Sequence, residues 1–298
     1  MDIVFTYVDF EDEKWHKQKK KDCNIKSAYN NQHNSNLDEI KYAVKSIEKY
    51  FKQHRNIYFV TNNGKIPKCL PIKKNYKSIL YSDLVGNRTY NSCSIETSLH
   101  KINGLSEYYI YFNDDVIIAK PTTINDFIDE KSGKLIWYEE SNFFIRLANK
   151  LPIITRLYDF GDSGCNESRN RLYKKMGLRI KPNSIAHCPK IFKKSMVEEF
   201  CEKFHKEVEQ QKYRLLRSSN DFPFVDAFCF YYLKKNKLLY SNKYETLILC
   251  QFDNDLISRL YNQKISKTHK FICIEDRRKQ VDIDKNVKKI ISSHFKIS

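Results

Sequence analysis

Apolar positions change their spacing several times along the chain, and each change predicts an element. From Ile3 to Val8, in "DIVFTYVDF", apolar and β-favouring residues run almost unbroken and stop at Asp9, as in a strand buried on both faces. Leu37, Ile40, Val44, Ile47 and Phe51 then recur at steps of three and four, which predicts a helix with one apolar face. Asn36 and Glu39 have the spacing of its capping box. "NIYFVT" with its Asn-Asn-Gly turn and the weaker "SILYS" read as strands. Ile95, Leu99 and Ile102 mark a second helix that stops near Gly104, and the strand "YYIYF" follows. Strand, helix, strand, helix, strand is the order of an α/β fold, a mostly parallel sheet flanked by helices.

The rest of the pattern is less regular. His16 to Asn36, with Lys19-Lys20-Lys21, shows no periodicity and is expected to be a mobile basic loop. "KLIWYEE" reads as a strand and "DFGDSGCNESRN", starting at Asp159, as a loop. Ser195 and Glu198 are expected to cap a helix carrying Met196, Phe200, Phe204 and Val208. "FPFVDAFCFYYL" is apolar nearly all round, which predicts a buried helix. "KFICIED" predicts a strand ending in Glu275-Asp276, and "NVKKIISSHFK" is a basic amphipathic segment near 285–298. No repeat or linker divides the chain, so a single domain over 1–298 with helical insertions is expected.

Charge narrows the partners. With 53 Lys and Arg against 36 Asp and Glu, the net charge is +17, which favours phosphate-bearing molecules: nucleic acid, an anionic membrane, a nucleotide or a polyanionic product. Aromatic residues make up 14% of the chain, far too many for a disordered polycation. Nine cysteines without a Cys-x-x-Cys pair point to a reducing compartment. His187, Cys188, Cys201 and His205 lack the paired spacing of a structural zinc site. The start "MDIVFTYVDFED" has the features of neither a signal peptide nor an anchor, and a cytoplasmic protein, at most peripheral at the inner face of a membrane, is expected.

Candidate chemistry gathers where apolar runs end in acids. In open parallel sheets ligands bind beyond the carboxyl ends of strands, and Asp9 and Asp114-Asp115 stand at such ends. Adjacent carboxylates suit a hard divalent cation, although an Asx turn that merely ends the strand uses the same residues. His100 and His187 have the side chain whose pKa near ~6.5 allows it to take a proton at neutral pH. In "RSSND", Arg217 and Asp221 form either a phosphate clamp or a capping ion-pair cluster.

Four separated strings resemble, in order, the conserved blocks of the Stealth family of hexose-1-phosphate transferases. They are "DIVFTYVDFEDEKW"; "LDEIKYAVKSIEKYFKQHRNIYFVTNNGKIPKCL" continued by "NSCSIETSLHKINGLSEYYIYFNDD"; "HCPKIFKKSM" through "RSSND"; and "FICIED". The resemblance implies a Rossmann-like catalytic domain with magnesium or manganese. Such a domain moves a sugar together with its anomeric phosphate from a nucleotide-diphosphate sugar, UDP-linked in expectation, to a glycan hydroxyl. It further implies Asp115 and Glu275 as metal ligands, with Asp114 and Asp276 beside them, and His187 as the base. His100 becomes an alternate base or a donor to phosphoryl oxygens. Arg217, with Asp221 near it, would hold the transferred phosphate, and Asp9, Asp38 and Lys41 would line the donor site. Tyr7, Phe10, Lys41 and Glu275 depart from the family's usual tryptophan, glycine, arginine and asparagine. Two other functions remain open at this stage: transfer of the sugar alone, and a non-catalytic basic module for nucleic acid or membranes. No specific nucleic acid is expected, because no recognition motif accompanies the lysine runs. The basic segments themselves suit an anionic membrane surface.

Overall fold

The computed structural model describes residues 1–24, 39–139, 168, 171, 172, 175–177, 185–251 and 269–276, without the side chains of 245, 247–251, 275 and 276. Chain order runs β1 (Asp2–Tyr7), α1 (Glu13–Asp22), α2 (Glu39–Tyr50), β2 (Ile57–Thr61), β3 (Tyr76–Leu80), α3 (Tyr81–Val85), α4 (Ser92–Glu96), a 3-10 turn (Leu99–Lys101) and β4 (Tyr108–Asn113). It continues through β5 (Val116–Ile118), β6 (Leu135–Tyr138), β7 (Lys190–Lys193), α5 (Lys194–Lys203), α6 (His205–Lys212), α7 (Phe224–Lys234), β8 (Leu238–Ser241), β9 (Glu245–Gln251) and β10 (His269–Asp276).

Five strands form the main sheet in the order β3-β2-β1-β4-β7, parallel except for β7 at one edge. This is the expected α/β, Rossmann-like arrangement. Central β1 is covered on both faces, so its residues are apolar without alternation, and Ile3, Val4 and Phe5 are wholly buried. Phe5 lies 5.8 Å from Phe59 and 5.2 Å from Phe112, which joins three neighbouring strands by a row of rings as well as by their ladders. α2 buries Ile40, Ala43, Val44 and Ile47, the face that its periodicity predicts. Its buried Ser46 hydroxyl donates to the Ala43 carbonyl at 2.7 Å and accepts from the Ile118 N–H at 3.0 Å, tying the helix to β5. Two smaller sheets, β5-β10-β9 and β6-β8, complete the described strands.

Several elements differ from the sequence expectation. The basic stretch expected as a loop begins as α1: Asp12 caps it by accepting from the Lys14 and Trp15 N–H groups, and buried Trp15 donates to the Tyr81 hydroxyl at 3.1 Å. With Trp15 as its single buried residue, the helix leaves no apolar period to detect. The helix expected through Ile102 is instead α4 followed by the separate 3-10 turn. The helix expected from Ser195 through Val208 is broken at Phe204 into α5 and α6. Ser195 is no cap, since its hydroxyl donates to Glu107 at 2.5 Å and Lys193 holds the capping position without a side-chain bond. Asn36, Leu37, the loop from Asp159 apart from Ser168, and the basic segment near 285–298 lie outside the described residues.

At the amino ends of the strands, the fully buried Asp2 carboxylate collects five hydrogen bonds. Arg55 donates through Nε (3.1 Å) and Nη2 (2.7 Å), the Asn56 N–H at 3.0 Å, and Ser106 through both N–H (2.7 Å) and hydroxyl (2.8 Å). One side chain thereby joins β1 to the segments that lead into β2 and β4. Asp2→Ala leaves these donors without their acceptor and is expected to cost about 2–3 kcal/mol in urea unfolding.

Candidate active site

Asn113 ends β4 and Val116 begins β5, so Asp114 and Asp115 are the whole connection between the main sheet and the second sheet. The Asp115 carbonyl accepts from the Ile274 N–H at 2.9 Å, and Val116 pairs with Cys273. The aspartate pair is thus bonded to a strand that is distant in sequence. A third segment arrives because β7 runs antiparallel: its first residue, Lys190, lies opposite Tyr111, so the chain just before it sits at the carboxyl ends of the parallel strands. That chain carries His187.

His187 Nε2 lies 3.3 Å from Asp115 Oδ1 and 3.3 Å from the Asn113 amide nitrogen. One neighbour accepts and the other donates, so the nitrogen is held whether or not it carries a proton, which suits a group that gains and loses one. The Cys273 thiol donates to Asp115 Oδ2 at 3.5 Å. Burial by itself would raise the Asp115 pKa, but the charge and hydrogen bond of His187, together with the thiol, hold it below the usual carboxylate value. Asp114 goes the other way, pushed up to about 7 by burial and then by the neighbouring Asp115 charge.

A carboxyl whose pKa is raised by burial and by a neighbouring carboxylate marks a place that lacks positive charge, and a divalent cation would supply it. Asp114 and Asp115 offer the oxygen donors that magnesium or manganese prefers. Asp115, His187 and Cys273 also present one ligand atom each within 4.8 Å of one another, a mixed set that suits borderline ions as well. The residues fit a divalent cation.

Glu96, which the sequence reading passes over, borders the same strand ends. Tyr111 hydroxyl donates to its Oε1 at 3.2 Å and lies 3.1 Å from the Thr6 hydroxyl. Burial pushes the Glu96 pKa up to about 7, opposed by Arg217, by the Tyr111 bond and by Lys190. A signal existed: Glu96 is the one acid between Asp83 and Glu107. Arg217, exposed on the loop between α6 and α7, donates through Nη2 to the Ser92 hydroxyl at 2.7 Å.

The other expected site residues are placed differently. His100 is one of them. It is buried on the 3-10 turn that packs against α5, and its pKa is pushed down to about 4 by burial and by Lys101, Lys212 and Lys194. Lys194 bonds to the Glu107 carbonyl at the amino end of β4. Asp221 is buried and faces its own loop: it accepts from the Asn91 amide at 2.9 Å and pairs with Arg214 Nε at 3.8 Å, fixing the segment that carries Arg217. Asp9 does reach the carboxyl end of β1. Its backbone N–H and carbonyl are both met by the Asn62 amide (2.8 and 3.2 Å), and its carboxylate accepts from the Glu11 N–H and the Asn63 amide. Lys41 is half-buried in the first turn of α2. Asp38 lies outside the described residues. So do the side chains of Glu275 and Asp276, whose backbone ends β10. Among the described residues, the cluster of metal-binding types is Asp115, His187 and Cys273, not the His187, Cys188, Cys201, His205 set.

Comparison with known proteins extends this picture. The family model described as Stealth protein CR2, conserved region 2, matches residues 33–136, which include α2, α4 and the aspartate pair. The protein named capsular polysaccharide phosphotransferase fcs1 of Haemophilus influenzae is 30% identical over 251 residues, covering 80% of this chain and 67% of its own length. Capsular polysaccharide phosphotransferase LcbA of Aeromonas hydrophila is 24% identical over 325 residues, covering 99% of this chain and 84% of its own. A solved galactosyltransferase, LgtC with donor and acceptor sugar analogues, covers 92% of this chain and 87% of its own at 11% identity and a TM-score of 0.43, a likeness too distant to add to the assignment.

The Glu96 environment sets a pH test. Folded Glu96 holds its proton more tightly than the ordinary carboxyl at 4.5, so its contribution to stability is present below that pH and is lost as the pH rises through about 7. Glu96→Gln does not titrate. Thermal unfolding midpoints measured from acid to mildly alkaline pH should therefore show the wild type losing stability relative to this variant across that window.

Proposed function

Since the chain belongs to the Stealth family, we propose that it transfers a hexose-1-phosphate from a nucleotide-diphosphate sugar to a glycan hydroxyl. The relatives' names support a phosphotransferase, and the single observation that carries the reading is the meeting of His187, Asp115 and β10 at one two-residue turn. In this reading the acceptor oxygen attacks the phosphorus that bears the sugar. The bond from that phosphorus to the bridging oxygen breaks, and a nucleoside monophosphate leaves. A phosphodiester forms.

Each side chain then has a defined task. His187 takes the proton of the attacking hydroxyl, its Nε2 oriented by Asn113 and Asp115. Arg217 holds oxygens of the transferred phosphate with its planar fork, and Asp221 keeps the Arg217 loop in place through Asn91. Asp9, already oriented by Asn62 and Asn63, lines the nucleoside side with Lys41. Asp114 and Asp115 would hold magnesium or manganese, with Glu275 and Asp276 at the end of the neighbouring strand. When bound, the ion neutralises charge on the pyrophosphate oxygens. Phosphoryl transfer of this kind depends mainly on alignment and on opposite charge.

Incubation with a panel of activated sugars and a glycan acceptor, followed by phosphorus NMR, is expected to show a phosphodiester together with a nucleoside monophosphate; a nucleoside diphosphate would mean transfer of the sugar alone. His187→Ala is expected to lower kcat by ~10²-fold or more. Chelation should abolish turnover, and added magnesium or manganese should restore it in the wild type but not in Asp115→Asn.

A further inference from the structure

Four large hydrophobic side chains are exposed among the described residues, and three of them, Tyr213 (73%), Leu216 (41%) and Leu215 (37%), share the loop that carries Arg217. Scattered exposed apolar residues are ordinary, whereas a cluster rimmed by charge marks an interaction surface. The loop does not owe its shape to these side chains. Its carbonyls are bonded from beneath: Arg214 O by the Thr89 hydroxyl (2.7 Å), Leu215 O by the Tyr90 N–H (2.8 Å) and Leu216 O by the Asn91 amide (3.1 Å). The backbone is held down and the tyrosine and leucines are turned outward.

The rim is basic. Arg214 and Arg217 interleave with the apolar residues in "YRLLR". The last turn of α1, with exposed Lys20 and Lys21, is fastened to the same supporting segment, because Asp22 accepts from the Tyr90 hydroxyl at 2.8 Å and pairs with Arg88 at 3.7 Å. No helix among the described residues is long and apolar enough to cross a membrane. A tyrosine and two leucines between arginines, on a chain of net charge +17, match the boundary of an anionic bilayer, where acyl chains accept the apolar tips and headgroups pair with the cations.

We propose that the loop from Tyr213 to Arg217 is a lipid-contacting loop that seats the protein on an anionic membrane surface, with the site mouth beside it. Lysine runs elsewhere would give salt-sensitive attraction only; this loop adds shallow insertion.

The test is cosedimentation of the full chain with vesicles of phosphatidylcholine alone and with phosphatidylglycerol added in about equal amount. It requires no turnover, so its outcome is independent of the transfer reading. The wild type should bind the anionic vesicles, and the triple substitution Tyr213→Ser, Leu215→Ser, Leu216→Ser should weaken that binding about tenfold or more. An unchanged thermal unfolding midpoint of this variant serves as the folding control. In a second measurement, the emission of Leu216→Trp should move to shorter wavelength when anionic vesicles are added. Equal sedimentation of wild type and triple variant, or no spectral shift, overturns the proposal. Vesicle binding preserved in the triple variant alongside lost binding of a soluble glycan also overturns it, and makes the loop a glycan platform instead.

Discussion

A connection only two residues long, between strands of different sheets, is the constraint on which the site depends. β4 belongs to the parallel sheet and β5 pairs with β10, so the backbone at Asp114 and Asp115 changes sheets without room for a loop. Such a turn cannot be lengthened without shifting the register of both sheets. It also leaves two carboxylates at the seam, beside His187, in the one region where backbone pairing gives way to side-chain chemistry. The interruption of an apolar run by Asn113-Asp114-Asp115 is therefore architectural and chemical at once.

Electrostatics around the seam follow from that placement. Burial pushes both Asp114 and Glu96 up to about 7, helped at Asp114 by the neighbouring Asp115 charge, while Asp115 is held low by its imidazole partner. The three carboxyls thus differ in their affinity for protons. Arg217 and Lys190 lie near Glu96 and supply the opposite sign. A pyrophosphate-bearing donor and its ion would meet a surface that contains both charges already sorted into separate positions.

The parallel strands were legible because strands enclosed on both faces show uninterrupted apolar runs, and "DIVFTY", "IYFVT" and "YYIYFN" carry that signature. Helices held by single anchors were legible in part or not at all: α1 depends on Trp15 and a cap, while α4, expected to run on to Ile102, stops early and depends on Asn91 and on bonds to α6 and the loop after it, interactions that leave no period. Asp115 could be singled out by residue type and position at a strand end, and His187 by residue type and the family resemblance. His100 was singled out by residue type and by the family resemblance, and neighbouring sequence does not reveal the buried turn beside lysines that holds it. Glu96 was missed because its significance comes from Tyr111 and Arg217, partners that only folding brings near it.

The Asp2 knot has a consequence for motion. A buried carboxylate with five donors makes the amino ends of the three central strands a stiff base, so those strands cannot slide past one another or splay there without losing several bonds together. Any give must come from the opposite rim. The molecule thus resembles tongs riveted at the handle, whose grip can adjust only at the tips, where in the proposed transfer a bulky donor would enter and a spent nucleotide depart.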